Sequence, residues 1–160
     1  MSRSLTPVWE ALHTVADPEI PTVSIVALGM VKRVGWDDEG IDIDLVPTFL
    51  GCPALDLIRH RVVRAVAQAA GLSPEMVRVR WCTEVPWTSD RIRTEAHGPL
   101  RRMGIAPPPE PAEAGAGEPV PCPYCGSRDT RQDNAFGSTA CRSLHYCRAC
   151  RNPFEAMKPV

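Results

Sequence analysis

Two C-x-x-C pairs close to the end of the chain constrain its fold more than any other feature. Two residues between cysteines let one tight turn direct both sulfur atoms at a single ion. Two such pairs in one short polar segment therefore predict a tetrahedral four-thiolate zinc site. The four candidate ligands are Cys122, Cys125, Cys147 and Cys150.

The segment around these cysteines is too short to bury a core of its own. Residues 126–146 separate the two pairs, which leaves room for a short antiparallel excursion and return. A bound metal would then supply the folding energy of residues 121–160. A small iron–sulfur centre and a disulfide knot remain alternatives to zinc. Cys141 and His145 are substitute ligands whose spacing is less suitable.

Length and charge exclude several classes of protein. A chain of 160 residues holds one ordinary domain and a small appendix. Its net charge of −1 shows no basic excess, so binding to nucleic acid is not expected. No apolar run approaches the ~20 residues of a membrane span. Because four of the seven cysteines fit a metal site, a reducing cytoplasm is expected rather than a secreted disulfide scaffold.

A change of composition marks a domain boundary. Residues 106–120 are rich in proline, alanine, glycine and glutamate, which predicts a stiff, extended linker. The linker would separate a first domain over residues 1–105 from a cysteine ribbon over residues 121–160.

Hydrophobic periodicity predicts a small α+β fold for the first domain. Helical spacing of apolar residues indicates helices over residues 7–16 and 53–70, and alternation indicates a strand over Ile41–Leu45. The order helix–strand–strand–helix–strand predicts a three-stranded sheet with helices on one face. The first two strands would form a β-hairpin, with Asp42 and Asp44 on its solvent face.

Cys52 is the candidate functional thiol of the first domain. Pro53 suits the first position of the second helix, which places Cys52 at or beside the N-cap. The free N–H groups and the dipole of a helix N-terminus stabilise a thiolate. The alternative is a buried structural cysteine. Cys82 ends the third strand, where it either approaches Cys52 or belongs to the core.

A rigid acidic loop supplies further candidates. Two prolines stiffen the segment that holds Asp17 and Glu19, which either belong to a site or lie as solvated carboxylates in a helix-stop turn. Thr48 lies in the proline-bracketed loop before Cys52. No glycine-rich phosphate loop, nucleophile elbow or zinc-protease motif is present.

These segments carry a resemblance to known families. The first domain resembles the iron–sulfur assembly domain of SufT-like proteins, through residues 17–21, 28–31 and 47–53. Residues 87–90, 104–108 and 136–141 look like the PaaD family of phenylacetate degradation. The resemblance implies that iron or an iron–sulfur cluster binds transiently at Asp17, Glu19, Thr48 and Cys52. It also implies structural zinc at the four ribbon cysteines.

The resemblance further implies a non-catalytic accessory role. PaaD-type proteins accompany the multicomponent phenylacetyl-CoA epoxidase, a di-iron oxygenase served by an iron–sulfur flavin reductase. The expected role is to mature that system, with its oxygenase or reductase components and general iron–sulfur assembly proteins as partners. Self-association into a homo-oligomer stays open. The alternatives are a structural or regulatory subunit of the oxygenase complex and a zinc-ribbon protein that binds nucleic acid.

Overall fold

The chain forms two compact units. The computed structural model describes residues 3–109 and 118–158, and the units are Met1–Trp87 and Thr88–Val160. The division falls earlier than the predicted domain limit at residue 105. The physical reason is that Ile105–Ala106 forms a parallel strand pair with Pro153–Met157 of the ribbon. Residues 110–117 of the predicted linker lie outside the described residues.

The first unit has the predicted α+β fold. Strands β3, β4 and β5 form a three-stranded sheet in that order, with β3 and β4 antiparallel and β4 and β5 parallel. Helix α2 connects the parallel strands and packs against α1 and β5. A short antiparallel pair, β1 and β2, precedes the sheet. The elements are α1 Thr6–Thr14, β1 Ala16–Asp17, β2 Ile20–Ser24, β3 Val31–Trp36, β4 Ile41–Leu45, α2 Leu55–Ala70 and β5 Val77–Trp81.

Two apolar patterns of the sequence build the core of this unit. Helix α2 buries one stripe of branched side chains, and strand β4 buries its three alternating apolar side chains. Each such side chain contributes about 1.5–3 kcal/mol when it is fully buried. The residues that the structure buries completely on these elements are Ile58, Val62, Val66, Ile41, Ile43 and Leu45.

The expectation that Asp42 and Asp44 are solvated is wrong. The parallel register places them beside Arg78 and Arg80 of β5. Arg78 Nε donates to Asp42 Oδ1 at 2.9 Å, and Arg80 Nε donates to Asp44 Oδ1 at 3.0 Å. Hydrogen bonds to Asp42 and Asp37 raise the pKa of Arg78. This ladder of ion pairs covers one face of the sheet and occupies both carboxylates.

The second unit is built around a four-stranded sheet of order β6-β9-β8-β7. The buried cluster that contains the metal-site cysteines is small, and it consists of Ala106, Phe154, Ala156, Cys122 and Cys147. No helix within residues 3–109 and 118–158 is long and apolar enough to cross a membrane. The elements are α3 His97–Arg102, β6 Ile105–Ala106, β7 Thr130–Asn134, β8 Arg142–Cys147 and β9 Pro153–Met157.

Candidate functional site

The four ribbon cysteines meet at one point. Their sulfur atoms all lie within 4.8 Å of one another, and none is disulfide-bonded. The Sγ atoms of Cys122 and Cys150 are 3.7 Å apart, and those of Cys125 and Cys147 are 3.6 Å apart. A tetrahedral zinc ion with Zn–S bonds of about 2.3 Å has S–S edges of about 3.8 Å. The donor set therefore has both the chemistry and the size of a zinc tetrathiolate site.

Each knuckle closes by the same backbone pattern. The N–H of the first cysteine donates to the carbonyl five residues later, as Cys122 does to Ser127 at 2.9 Å and Cys147 does to Asn152 at 3.0 Å. The residue after the second cysteine takes a left-handed conformation in both knuckles. Gly126 has φ 76° in the first, and Arg151 has φ 58° in the second. Arginine at this position stores backbone strain that glycine does not.

Replacing Arg151 by glycine is therefore expected to stabilise the ribbon. The relief of the left-handed strain is partly offset by the greater freedom of glycine in the unfolded chain, so the gain is about 1 kcal/mol or less. The chelator concentration that removes half of the zinc should rise. Gly126→Ala is the matched control, since an added Cβ meets nothing within 4 Å. It should lower that concentration, and an increase would contradict the strain argument.

Electrostatics inside the cluster favours a bound cation. Burial raises the pKa of the Cys122 thiol to about 12. A hydrogen bond from the Asn152 side chain lowers the pKa of Cys150 to about 6. Four thiolates so close together repel one another, and a divalent cation offsets this repulsion while it displaces the thiol protons.

The two substitute ligands lie outside the four-cysteine cluster. His145 is buried on β8, where its Nε2 is 2.8 Å from Ser143 Oγ and its ring stacks on Phe154 at 5.3 Å. Burial lowers its pKa. Cys141 Sγ lies 3.2 Å from Thr139 Oγ1. Both side chains therefore have structural contacts of their own.

Cys141→Ser is expected to keep zinc at the wild-type stoichiometry and chelator resistance. Serine preserves the polar contact with Thr139, and the four-cysteine cluster stays complete. Zinc content after stepwise addition of chelator measures the effect. Loss of zinc at the chelator concentration that empties Cys147→Ser would contradict the placement of Cys141 outside the site.

In the first unit, Asp17 shapes a turn. Its Oδ1 accepts the backbone N–H of Glu19 at 2.8 Å and that of Ile20 at 3.1 Å, and its side chain is buried. Glu19 is exposed at the tip of the turn between β1 and β2. In residues 3–109 and 118–158, the ribbon cysteines are the one group of three or more His, Cys, Asp or Glu ligand atoms placed to hold a metal. Asp17, Glu19 and Cys52 do not form such a group.

The prediction that Cys52 caps helix α2 is wrong. The helix begins at Leu55, and its N-cap is Ala54. Cys52 lies in the preceding turn, where its N–H donates to the Phe49 carbonyl at 3.1 Å and its carbonyl accepts from Leu55 N at 3.4 Å. The half-buried thiol of Cys52 therefore belongs to the turn that precedes the helix and not to the N-cap position.

Thr48 and Cys82 line one cavity of about 230 Å³, together with Phe49, Leu50 and Trp87. They follow two parallel strands, so both emerge at the same edge of the sheet, and the Cys82 N–H donates to the Leu45 carbonyl at 2.7 Å. Ligands in α/β proteins bind at the carboxyl ends of such strands. Cys82 is half-buried and lines this cavity together with Thr48. The predicted strand–helix–strand order could have indicated this placement, because such a unit brings the ends of both strands to one edge of the sheet.

Comparisons with known proteins agree with both units. Residues 5–79 match the family described as "Iron-sulfur cluster assembly protein", and residues 106–158 match the "PaaD zinc beta ribbon domain". A crystal structure of the domain of unknown function DUF59 from Bacillus anthracis superposes with a TM-score of 0.52 and 27% identity, covering 57% of this chain and 85% of that one. The fold and site define an iron–sulfur assembly domain joined to a zinc ribbon.

Two relatives extend the comparison. An Escherichia coli (strain K12) protein, provisionally named as one of the subunits of 1,2-phenylacetyl-CoA epoxidase, is 37% identical over 96% of this chain and 92% of its own length. The Fe-S protein maturation auxiliary factor SufT of Staphylococcus aureus (strain USA300) is 36% identical over 49% of this chain and 86% of its own. The chain belongs to the PaaD family. The resemblance inferred from the sequence is confirmed.

Proposed function

We propose that this chain is a non-catalytic maturation factor that delivers iron, or assembles an iron–sulfur cluster, for the phenylacetyl-CoA epoxidase. The observation that carries the proposal is an iron–sulfur assembly domain in a chain that is similar, over 96% of its length, to a protein named as a subunit of that epoxidase. The partners are the oxygenase or reductase components of the epoxidase and general iron–sulfur assembly proteins.

The ribbon and the first unit have different metal chemistry in this proposal. Cys122, Cys125, Cys147 and Cys150 hold structural zinc, which supplies the folding energy that their small core lacks. The iron or cluster that is delivered binds at a different site in the first unit. That site has to hold iron weakly, because a delivery factor must release its cargo.

The proposed cargo site is the carboxyl edge of the parallel strands. Thr48 and Cys52 lie in the loop between β4 and α2, and Asp17 and Glu19 lie at the turn between β1 and β2. A soft thiolate and hard oxygen donors can share one iron ion. The described residues of the first unit contain no closed cluster of three His, Cys, Asp or Glu ligands. An incomplete donor set supports transient binding, since a client can supply the remaining ligands.

The second candidate function is a structural or regulatory subunit of the oxygenase complex, which the name of the Escherichia coli relative favours. Binding of nucleic acid has less support, because arginines of the ribbon are engaged by carboxylates. The pairs are Arg128–Glu118 at 3.4 Å, Arg131–Asp133 at 2.6 Å, Arg142–Glu155 at 2.6 Å and Arg148–Asp129 at 3.2 Å.

Purification of the epoxidase from cells with and without this protein separates the two functions. A maturation factor leaves the purified components deficient in iron or cluster when it is absent, and it need not co-purify with them. A structural or regulatory subunit co-purifies in a fixed ratio. Fully metallated components from cells that lack the protein would contradict the proposed function.

A further inference from the structure

The loop between β7 and β8, over residues 135–141, has no part in either metal site. The register places Thr130 and Cys147 at the zinc end of this strand pair, whereas Asn134 and Leu144 lie at the loop end. We propose that Phe136 of this loop is a preformed docking anchor that inserts into an apolar pocket, bordered by carboxylates, on a component of the epoxidase. The identity of the partner rests on the proposed function.

Glu155 of β9 holds the loop in place. Its carboxylate accepts hydrogen bonds from the backbone N–H of Ser138, from Ser138 Oγ at 3.1 Å and from the Arg142 guanidinium at 2.6 Å. Arg142 Nε also donates to Thr139 Oγ1 at 2.9 Å. Two side chains from neighbouring strands therefore bind both the backbone and the hydroxyl groups of one short loop.

Gly137 makes this close approach feasible. A Cβ at this position would lie 2.5 Å from Glu155 Oε1, a separation that real Cβ atoms do not adopt. The Gly137 N–H donates to the Arg142 carbonyl at 2.8 Å, and the Phe136 N–H donates to Asn134 Oδ1 at 3.0 Å. The backbone on both sides of the Phe136 side chain is thus fixed by hydrogen bonds.

Stability alone gives no reason for this ion pair. The side chains of Arg142 and Glu155 are only 7% and 19% exposed, and desolvation of buried ion pairs often cancels their attraction. In other proteins, replacement of a buried ion pair by apolar residues of similar volume is often neutral or stabilising. The ion pair fixes residues 135–141 in one conformation. This favours a role in which the loop holds a side chain ready for binding.

Phe136 is what the loop presents. Its side chain is 65% exposed although the backbone beneath it is fixed. Aromatic side chains dominate the energetics of protein interfaces, and an ordered anchor loses little conformational entropy on binding. A rigid, exposed phenylalanine therefore has the properties of an interface hot spot.

Charge beside the ring indicates the chemistry of the partner. The ammonium group of Lys158 lies 3.9 Å from the centroid of the Phe136 ring. A pocket that receives the ring must also accommodate this cation, and carboxylates at its rim would do so. We therefore expect the interface to combine one apolar insertion with one salt-sensitive contact.

The test is the affinity of the zinc-loaded full chain for the purified oxygenase and reductase components, measured at low and at high salt. Phe136→Ala should weaken binding to one component by about tenfold or more. Lys158→Gln should reduce the salt dependence of that binding. Leu57→Ala, which truncates another exposed apolar residue, is the matched control and should bind within about twofold of wild type. The zinc content of each variant shows that its ribbon is folded. Phe136→Glu places a negative charge against the acidic rim of the pocket and should weaken binding more than Phe136→Ala does.

Three results would overturn the docking proposal. In the first, Phe136→Ala binds both components with wild-type affinity. In the second, the wild-type chain binds neither component. In the third, Phe136→Ala changes the self-association of the chain while its affinity for the components stays the same. The iron content of the epoxidase in cells that carry Phe136→Ala or lack the protein judges the proposed function separately. A metal-deficient enzyme only in the cells without the protein would uphold maturation and reject the anchor.

Discussion

Replacing Cys147 by serine is expected to remove zinc from the ribbon and to unfold residues 118–158 while the first unit stays folded. Cys147 is completely buried, and it belongs both to the sulfur cluster and to the small apolar core. Structural zinc supplies about 10–16 kcal/mol in comparable small domains, which exceeds what this core can replace. Metal analysis and the dispersion of backbone NMR signals measure the effect.

Cys141→Ser is the matched control for this prediction, because it changes a ribbon cysteine outside the cluster. It should keep its zinc and its dispersed spectrum. A Cys147→Ser protein that retains stoichiometric zinc, or that stays folded without it, would show that the metal does not hold the ribbon together.

Replacing Cys52 by alanine is expected to abolish support of the epoxidase in cells while the protein remains folded. The structure records Cys52 in a turn that is fixed by backbone hydrogen bonds to Phe49 and Leu55, which alanine keeps. The free energy of unfolding should therefore change by less than about 1 kcal/mol. Growth on phenylacetate under iron limitation and the iron content of the purified epoxidase measure the functional loss.

Cys82→Ala is the control within the same unit. Cys82 is also half-buried, and it lines the cavity that contains Thr48. We expect cells with Cys82→Ala to grow normally and Cys52 to react faster with an alkylating reagent than Cys82. Normal growth of cells with Cys52→Ala would reduce the role of the first unit to partner binding. Loss of growth with Cys82→Ala alone would identify Cys82 rather than Cys52 as the working thiol.

Local patterns in the sequence predicted helices α1 and α2, the strands of the three-stranded sheet and the four cysteines of the zinc cluster, but not the short strands β1, β2 and β6. The apolar stripe of α2 and the alternation of β4 follow from the geometry of one helix and one strand. The C-x-x-C spacing likewise fixes both sulfur atoms of a knuckle within a single turn. Only the approach of the two knuckles to each other depends on tertiary structure.

Features that depend on partners distant in sequence were not predictable in this way. Asp42 and Asp44 looked solvated because the pairing with Arg78 and Arg80 requires the parallel register of β4 and β5. Cys52 looked like a helix cap because Pro53 suits a first helical position, but α2 begins only at Leu55. Asp17 differs from these cases, because its Oδ1 accepts from N–H groups only two and three residues further along the chain, a local turn pattern that aspartate often forms.

Transfer of iron to a purified client tests the central claim most directly. The chain is loaded with iron or an iron–sulfur cluster without oxygen and mixed with metal-free reductase or oxygenase component in the presence of a chelator that captures free iron. We predict that the component gains iron from the wild-type chain and gains none beyond the chelator background from Cys52→Ala. A component that gains no more iron from the loaded wild-type chain than from the chelated buffer would contradict the account.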